Sequence, residues 1–330
     1  MLFSQNMPYL LAAGTADGIV NIYHLDGTEP ANLKGRHSRS ASEGINRSIL
    51  GVCFSPDGQH LAVAYADSTI GLWRIEPIRE RRRSGLPKLN YTLTHTLKGH
   101  QGEVFAVCFS PDRQLIATAS ADETIRIWQR EGCLIKTIKG FTGAVFGLSF
   151  SSNGKLIAAA GADNTVKLWH PNGVCLRTFQ GHDSAVYSVN FSPDGKKFVS
   201  SSRDGTIKLW LRDSAWGRNG RVLTFTGHQN AVFQVRFSPT GAPIASASAD
   251  GTVKLWALDG GLIHTLHHEN LVYAVSFSPD GAFLATASED KTVKIWSPHE
   301  GKLLKTFCVS YPVYCLDFLP HDRTPRGGNN

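Results

Sequence analysis

The residues of this 330-residue chain whose types could do chemistry are 13 histidines, 27 Asp and Glu, six cysteines and a run of arginines. They recur more than they converge. An Asp is followed six residues later by an aromatic residue at Asp17/Tyr23, Asp67/Trp73, Asp122/Trp128, Asp163/Trp169, Asp204/Trp210, Asp250/Trp256 and Asp290/Trp296. A nucleophile site is usually single and strained, so a pairing that returns seven times points to a building unit rather than to a catalytic centre. The histidines fall at the same period or singly, with no HExxH, and no metal or other cofactor is expected. Nothing resembles a phosphate-cradling GxxxxGK[ST] or a nucleophile elbow.

Charge and cysteine usage narrow the class further. Lys and Arg number 34 against 27 acidic residues, a net +7, and Arg79, Arg81, Arg82, Arg83 and Lys88 carry five of those charges in one short stretch. Such a cluster can contact phosphate or an acidic protein surface. No aromatic-interleaved basic motif accompanies it, and a charge run in a loop is more often merely solvated. Cys53, Cys108, Cys133, Cys175, Cys308 and Cys315 show no CxxC spacing and no small-domain framework, so they read as reduced packing residues of a cytoplasmic protein. With 42% hydrophobic residues the chain should fold. No run approaches the roughly 18 apolar residues of a membrane span, and the short apolar segment 8–13 has no basic stretch before it, so neither an anchor nor a signal peptide is expected.

The elements that must position these residues are strands. Between each Asp and its aromatic partner runs an alternating segment, such as TIRIW ending at Trp128 or TVKIW ending at Trp296. Period-two alternation means strand. Upstream lies a second strand such as LIATAS (Leu115–Ser120), and before it a third such as VFAVCF (Val104–Phe109). They are joined by FSPDG or a variant, beginning at Phe54, Phe109, Phe150, Phe191, Phe237 and Phe277. In that turn Pro presets φ while Asp and Gly tolerate the tight or left-handed positions, so a hairpin results. A fourth strand such as residues 133–138 leads to Gly-His and the next unit. Four strands make one repeat.

Gly-His, FSPDG, the Asp turn and a strand ending in Trp, repeated at about 41 residues as from Trp128 to Trp169, resemble the WD40 family. The resemblance covers almost the whole chain and is carried by five consecutive units from Gly99 to Phe307. It implies an all-β fold, a seven-bladed β-propeller of four-stranded antiparallel blades around a central channel. The inner strands also count seven: ILGVCF at Ile49, VFAVCF, VFGLSF, VYSVNF, VFQVRF, VYAVSF and VYCLDF at Val313. Each end of the chain is an incomplete blade. Strand 313–318 is therefore expected to pair with the N-terminal strands of residues 10–25 and close the ring, which removes exposed sheet edges. Residues 1–320 are expected to be one propeller domain and 321–330 a flexible C-terminal tail.

In the WD40 family the Gly-His histidine, a Ser or Thr of the second strand, the turn Asp and the Trp form a hydrogen-bonded tetrad. By position this implies His100/Thr118/Asp122/Trp128, His182/Ser200/Asp204/Trp210, His228/Ser246/Asp250/Trp256 and His268/Thr286/Asp290/Trp296. A protease-like trio of Asp, His and hydroxyl thus appears four times, which argues for buried structural groups. Three blades depart. Phe141 and Ala159 replace His and the hydroxyl in one, Val63 occupies the hydroxyl place in another, and the closing blade has Ala13, Tyr23 and no Gly-His. These three are expected to rely on packing alone, so that Asp204→Ala destabilises more than Asp163→Ala.

The residue after the first Val of each inner strand is Phe105, Phe146, Tyr187, Phe233, Tyr273 or Tyr314, with Leu50 in the seventh blade. The family resemblance places this position near the channel mouth, on the face where propellers commonly bind peptides, and six aromatics there would anchor a partner. The competing reading is that they pack between blades; both stay open on sequence alone. Three insertions break the period: residues 36–47, on the same face as the aromatics, then 76–90 with its arginines and 212–221 with Trp216 and Arg218, both on the opposite face. Insertions are where propellers usually place specificity. The expectation is a non-enzymatic scaffold that binds one or more proteins through its faces and inserted loops. The alternative is a sensor or regulatory propeller that binds a ligand or a polyanion such as nucleic acid through Arg79, Arg81, Arg82 and Arg83.

Overall fold

The computed structural model describes residues 9–25, 31–34, 47–77, 89–211 and 221–320. Every regular element in them is a strand, from β1 (Leu10–Thr15) to β28 (Val313–Phe318), and the strands form seven four-stranded antiparallel sheets. Six sheets use consecutive strands. In one of them β8 (Val104–Phe109), β9 (Leu115–Ser120), β10 (Thr124–Gln129) and β11 (Leu134–Lys139) pair in chain order. The seventh runs β28-β1-β2-β3, with β2 spanning Ile19–His24 and β3 spanning Ala31–Lys34. Leu11 pairs with Phe318, Ala13 with Leu316 and Thr15 with Val313, so the two ends of the chain build one blade, as the incomplete end repeats imply.

The innermost strands are β4 (Ile49–Phe54), β8, β12 (Val145–Phe150), β16 (Val186–Phe191), β20 (Val232–Phe237), β24 (Val272–Phe277) and β28, and each touches the next until β28 meets β4. The ring is closed. The second strand of each blade is packed on both faces by neighbouring blades, which is why it is built from Ala, Ser, Thr and Val; β9 and β25 (Leu284–Ser288) are examples. Hydrophobic side chains fill the spaces between blades: Ala62, Ala64, Ile70 and Leu72 of one meet Val104, Val107, Ile116 and Trp128 of the next. At the closure Leu11, Ala13 and Tyr23 meet Ala274, Phe283, Ala285 and Ile295. There the Tyr9 hydroxyl also donates to Asp280 Oδ2 at 2.5 Å. Burying these groups is the main favourable term holding the wheel together.

The hairpin between the first two strands closes as FSPDG dictates. Gly58, at φ +68°, donates its N–H to Ser55 O at 2.8 Å, while Ser55 Oγ accepts the His60 N–H at 2.9 Å. In the FSPDR version Arg113 holds the same left-handed place at φ +67°, where glycine would be unstrained.

Candidate functional site

Two constellations recur around the wheel, one inside the blades and one facing the channel. Inside the blades, His100 Nδ1 lies 2.8 Å from Asp122 Oδ2 and its Nε2 lies 2.8 Å from Thr118 Oγ1, which also accepts the Trp128 indole N–H at 2.9 Å. The same bonds join His182 with Asp204, Ser200 and Trp210, His228 with Asp250, Ser246 and Trp256, and His268 with Asp290, Thr286 and Trp296. Each hydroxyl is completely buried. Burial pushes His100 and His182 down and His268 down to about 4, against the pull of their carboxylates, so these rings are neutral at pH 7. Burial alone would raise Asp122, but the Thr124 hydroxyl, the Gln101 N–H and His100 together hold it at about 2. A hydroxyl enclosed between an indole and an imidazole has no route to a substrate.

The departing blades need a correction, because packing alone does not serve them. In the blade with Phe141 and Ala159, Lys167 is buried, its ammonium bonds Asp163 and the Thr165 hydroxyl, and it sits 4.0 Å from the centre of the Phe141 ring. A cation and an aromatic face therefore replace the histidine. In the blade with Val63 the Asp67 carboxylate takes the Thr69 hydroxyl at 2.5 Å, and in the closing blade Asp17 is bonded by Thr15. What Ala159 does remove is the acceptor for the indole: Trp169 Nε1 is buried with no hydrogen-bond partner among the described residues. Lys167 was visible in the sequence only as one of several lysines at that strand position, so its role escaped the pattern.

Facing the channel, the register of every inner strand slips after its first residue, as between Val104 and Ala106 or Val232 and Gln234. The skipped residues are Leu50, Phe105, Phe146, Tyr187, Phe233, Tyr273 and Tyr314. A bulge leaves its extra residue outside the ladder and re-aims its side chain. All seven line one central cavity of about 450 Å³ and are half-buried. The six aromatic rings touch in sequence, with centroid separations of 5.1 Å (Phe105–Phe146), 5.2 Å (Phe146–Tyr187), 5.7 Å (Tyr187–Phe233), 5.3 Å (Phe233–Tyr273) and 5.0 Å (Tyr273–Tyr314). They form an arc broken only at Leu50. The rings pack on one another from blade to blade and also face the channel.

Below the collar the wall is small, with Gly51, Ala106, Gly147 and Ser188. Gly147 cannot be larger, because a Cβ there would stand 2.8 Å from Tyr187 O and 2.9 Å from Ser188 Cα. Deeper still lie Cys53, Cys108, Arg236 and Asp317. Burial raises the Asp317 carboxyl to about 6, only partly offset by the Phe54 N–H that it accepts at 2.8 Å and by the charge of Arg236. Burial likewise pushes the Cys108 thiol up to about 12 and Cys53 well above its usual range, so neither is a ready nucleophile. Sequence reasoning read Cys53 and Cys108 only as packing residues and passed over Arg236 and Asp317. Their signal was the fifth position of each inner strand, which reads Cys, Cys, Ser, Asn, Arg, Ser and Asp around the ring.

Arg79, Arg81, Arg82, Arg83 and Trp216 lie outside the described residues, as does the proposed tail at 321–330. Among the described residues no group of three His, Cys, Asp or Glu side chains is placed to hold a metal ion, and no helix is long and apolar enough to cross a membrane.

Six segments, 39–74, 91–129, 132–170, 173–210, 219–257 and 260–297, match the family model described as WD40: WD domain, G-beta repeat. The chain belongs to the WD40 family. The unmatched remainder holds all four strands of the closing blade, whose sequence departs furthest from the repeat. This WD40 chain is 34% identical over 88 residues to a probable cytosolic iron-sulfur protein assembly protein 1 of Malassezia globosa, covering 27% of the chain and 25% of that protein. It is 33% identical over 90 residues to one of the subunits of chromatin assembly factor 1 of Mus musculus, covering 25% and 16%. It is 32% identical over 97 residues to THO complex subunit 3 of Arabidopsis thaliana, covering 29% and 28%. The WD40 chain thus aligns with well under a third of the length of each of these relatives.

Proposed function

We propose that this WD40 propeller is a non-enzymatic scaffold that assembles other proteins, and that the aromatic collar at its channel mouth is a principal docking site. The observation that carries the reading is the unbroken arc of six half-buried rings, each displaced from its ladder by a bulge. Aromatic side chains bury large areas at low entropic cost, and they are enriched among residues that dominate binding energy. The names of the relatives, two for assembly and one for membership of a complex, support an assembly role. The six cysteines are free thiols, which suits a cytoplasmic setting.

The test is affinity purification of the tagged chain from its own cells, comparing wild type, Phe233→Ala and a rim control, Leu262→Ala, where Leu262 is 52% exposed on an outer strand. The reading expects Phe233→Ala to lose a set of partners that Leu262→Ala keeps, at unchanged melting temperature. Identical partner sets in all three would overturn it.

A further inference from the structure

The fifth residue of an inner strand has a structural task. Asp317 Oδ2 accepts the Phe54 N–H at 2.8 Å, Ser149 Oγ accepts the Phe191 N–H at 3.1 Å, and Asn190 Oδ1 accepts the Phe237 N–H at 2.9 Å. Each carries a bond from one blade to the next. Arg236 occupies this same position in β20, and a guanidinium has five donors and no acceptor, so it cannot do that work. Among the described residues no carboxylate lies within ion-pair distance of this guanidinium and no hydrogen bond engages it, yet Arg236 lines the chamber beneath the collar. Its neighbours in that chamber are the neutral thiols of Cys53 and Cys108, and an Asp317 already committed to Phe54. A cation held in a recess, with donors unspent and only one engaged carboxylate nearby, is complementary to an anion.

We propose that the chamber receives an acidic side chain, Asp or Glu, of a partner polypeptide threaded through the aromatic collar, with its carboxylate paired to Arg236. This rests on the collar being a protein-docking site and adds the charge of what docks there. The collar supplies contact area and the guanidinium selects the residue that enters. A basic side chain is disfavoured because it would meet Arg236 before it could draw Asp317 from the Phe54 N–H.

The test is selection from a phage-displayed library of random twelve-residue peptides on the intact chain, in parallel on Phe233→Ala, Arg236→Gln and Arg236→Glu, each first shown to melt like wild type. Wild type is expected to enrich peptides with an acidic residue at a fixed place, which bind Arg236→Gln about thirtyfold more weakly or worse. Arg236→Glu is expected to enrich peptides with Lys or Arg at that place, an outcome a misfolded variant cannot give. Peptides that need Phe233 but ignore Arg236, or that carry a basic residue on wild type, would overturn the acidic-residue proposal and leave the collar standing. Peptides indifferent to Phe233, or no enrichment on wild type, would overturn both.

Discussion

At the scale of single residues, the blades show that one structural need can be met in two ways. In the His100, His182 and His268 tetrads a neutral ring bonds a part-buried carboxylate, whereas in the Phe141 blade the buried ammonium of Lys167 does so. This reverses the order of damage that the sequence suggests. Asp204→Ala leaves the His182 ring N–H and the Asp183 amide without their acceptor, a cost of about 1–3 kcal/mol. Asp163→Ala leaves a buried ammonium unpaired and is expected to cost about 3–5 kcal/mol. Denaturant unfolding checks this, with the double variant Asp163→Ala/Lys167→Met expected to recover most of the loss. A second expectation concerns the orphaned indole of Trp169. Ala159→Ser puts a hydroxyl where Thr118 sits beneath Trp128, and should stabilise by about 0.5–1.5 kcal/mol if the oxygen accepts that N–H.

At the scale of elements, two features decide what the propeller can present. The bulge in each inner strand turns its second residue out of the ladder, and the closing pair β28–β1 makes the seventh such strand possible. Leu316 is 2% exposed at that closure, packed in the cluster that joins the chain's two ends. Leu316→Ala is expected to cost about 2–5 kcal/mol, while Leu262→Ala on the exposed outer strand should stay within about 0.5 kcal/mol. Equal losses in urea unfolding would mean that closure contributes little. Strand identity and closure were legible in the sequence because period-two alternation, FSPDG and the two half-repeats each state a local rule. The bulges were not legible, since VFAVCF reads as an unbroken strand. The aromatic position was picked out by its recurrence alone. Arg236 was missed for the opposite reason, as a single departure at a place where other blades carry different residues, and Lys167 because the same lysine recurs at Lys208, Lys254 and Lys294 and nothing in the strand sets it apart.

At the scale of the whole molecule, the repeated burial of neutral histidines makes stability depend on pH. His268 titrates near 4 in the fold against 6.5 when exposed, and His100 and His182 are shifted the same way, so between these values the unfolded chain binds more protons. Their contribution is full above about pH 6.5 and is lost as pH falls below it, for His268 toward 4. Asp122, held at about 2, adds a further loss below its unfolded value of 3.8. Asp317 acts in the other direction, because its raised value favours the fold as pH falls from about 6 to 3.8. Three histidines outweigh one carboxyl, and the melting temperature is expected to drop steadily from pH 7 to pH 4. Asp317→Asn should steepen that drop by removing the opposing group.

A rigid closed wheel that offers one aromatic collar should meet its partners there and not along the whole rim. Site-specific photocrosslinking tests this most directly, with a benzophenone amino acid placed at Phe146 in the collar or at Leu262 on an outer strand of the wheel, in the cells that make the protein. The account predicts discrete crosslinked partners from position 146, lost when Phe233 is also changed to Ala. Crosslinks that form only from position 262 would contradict it.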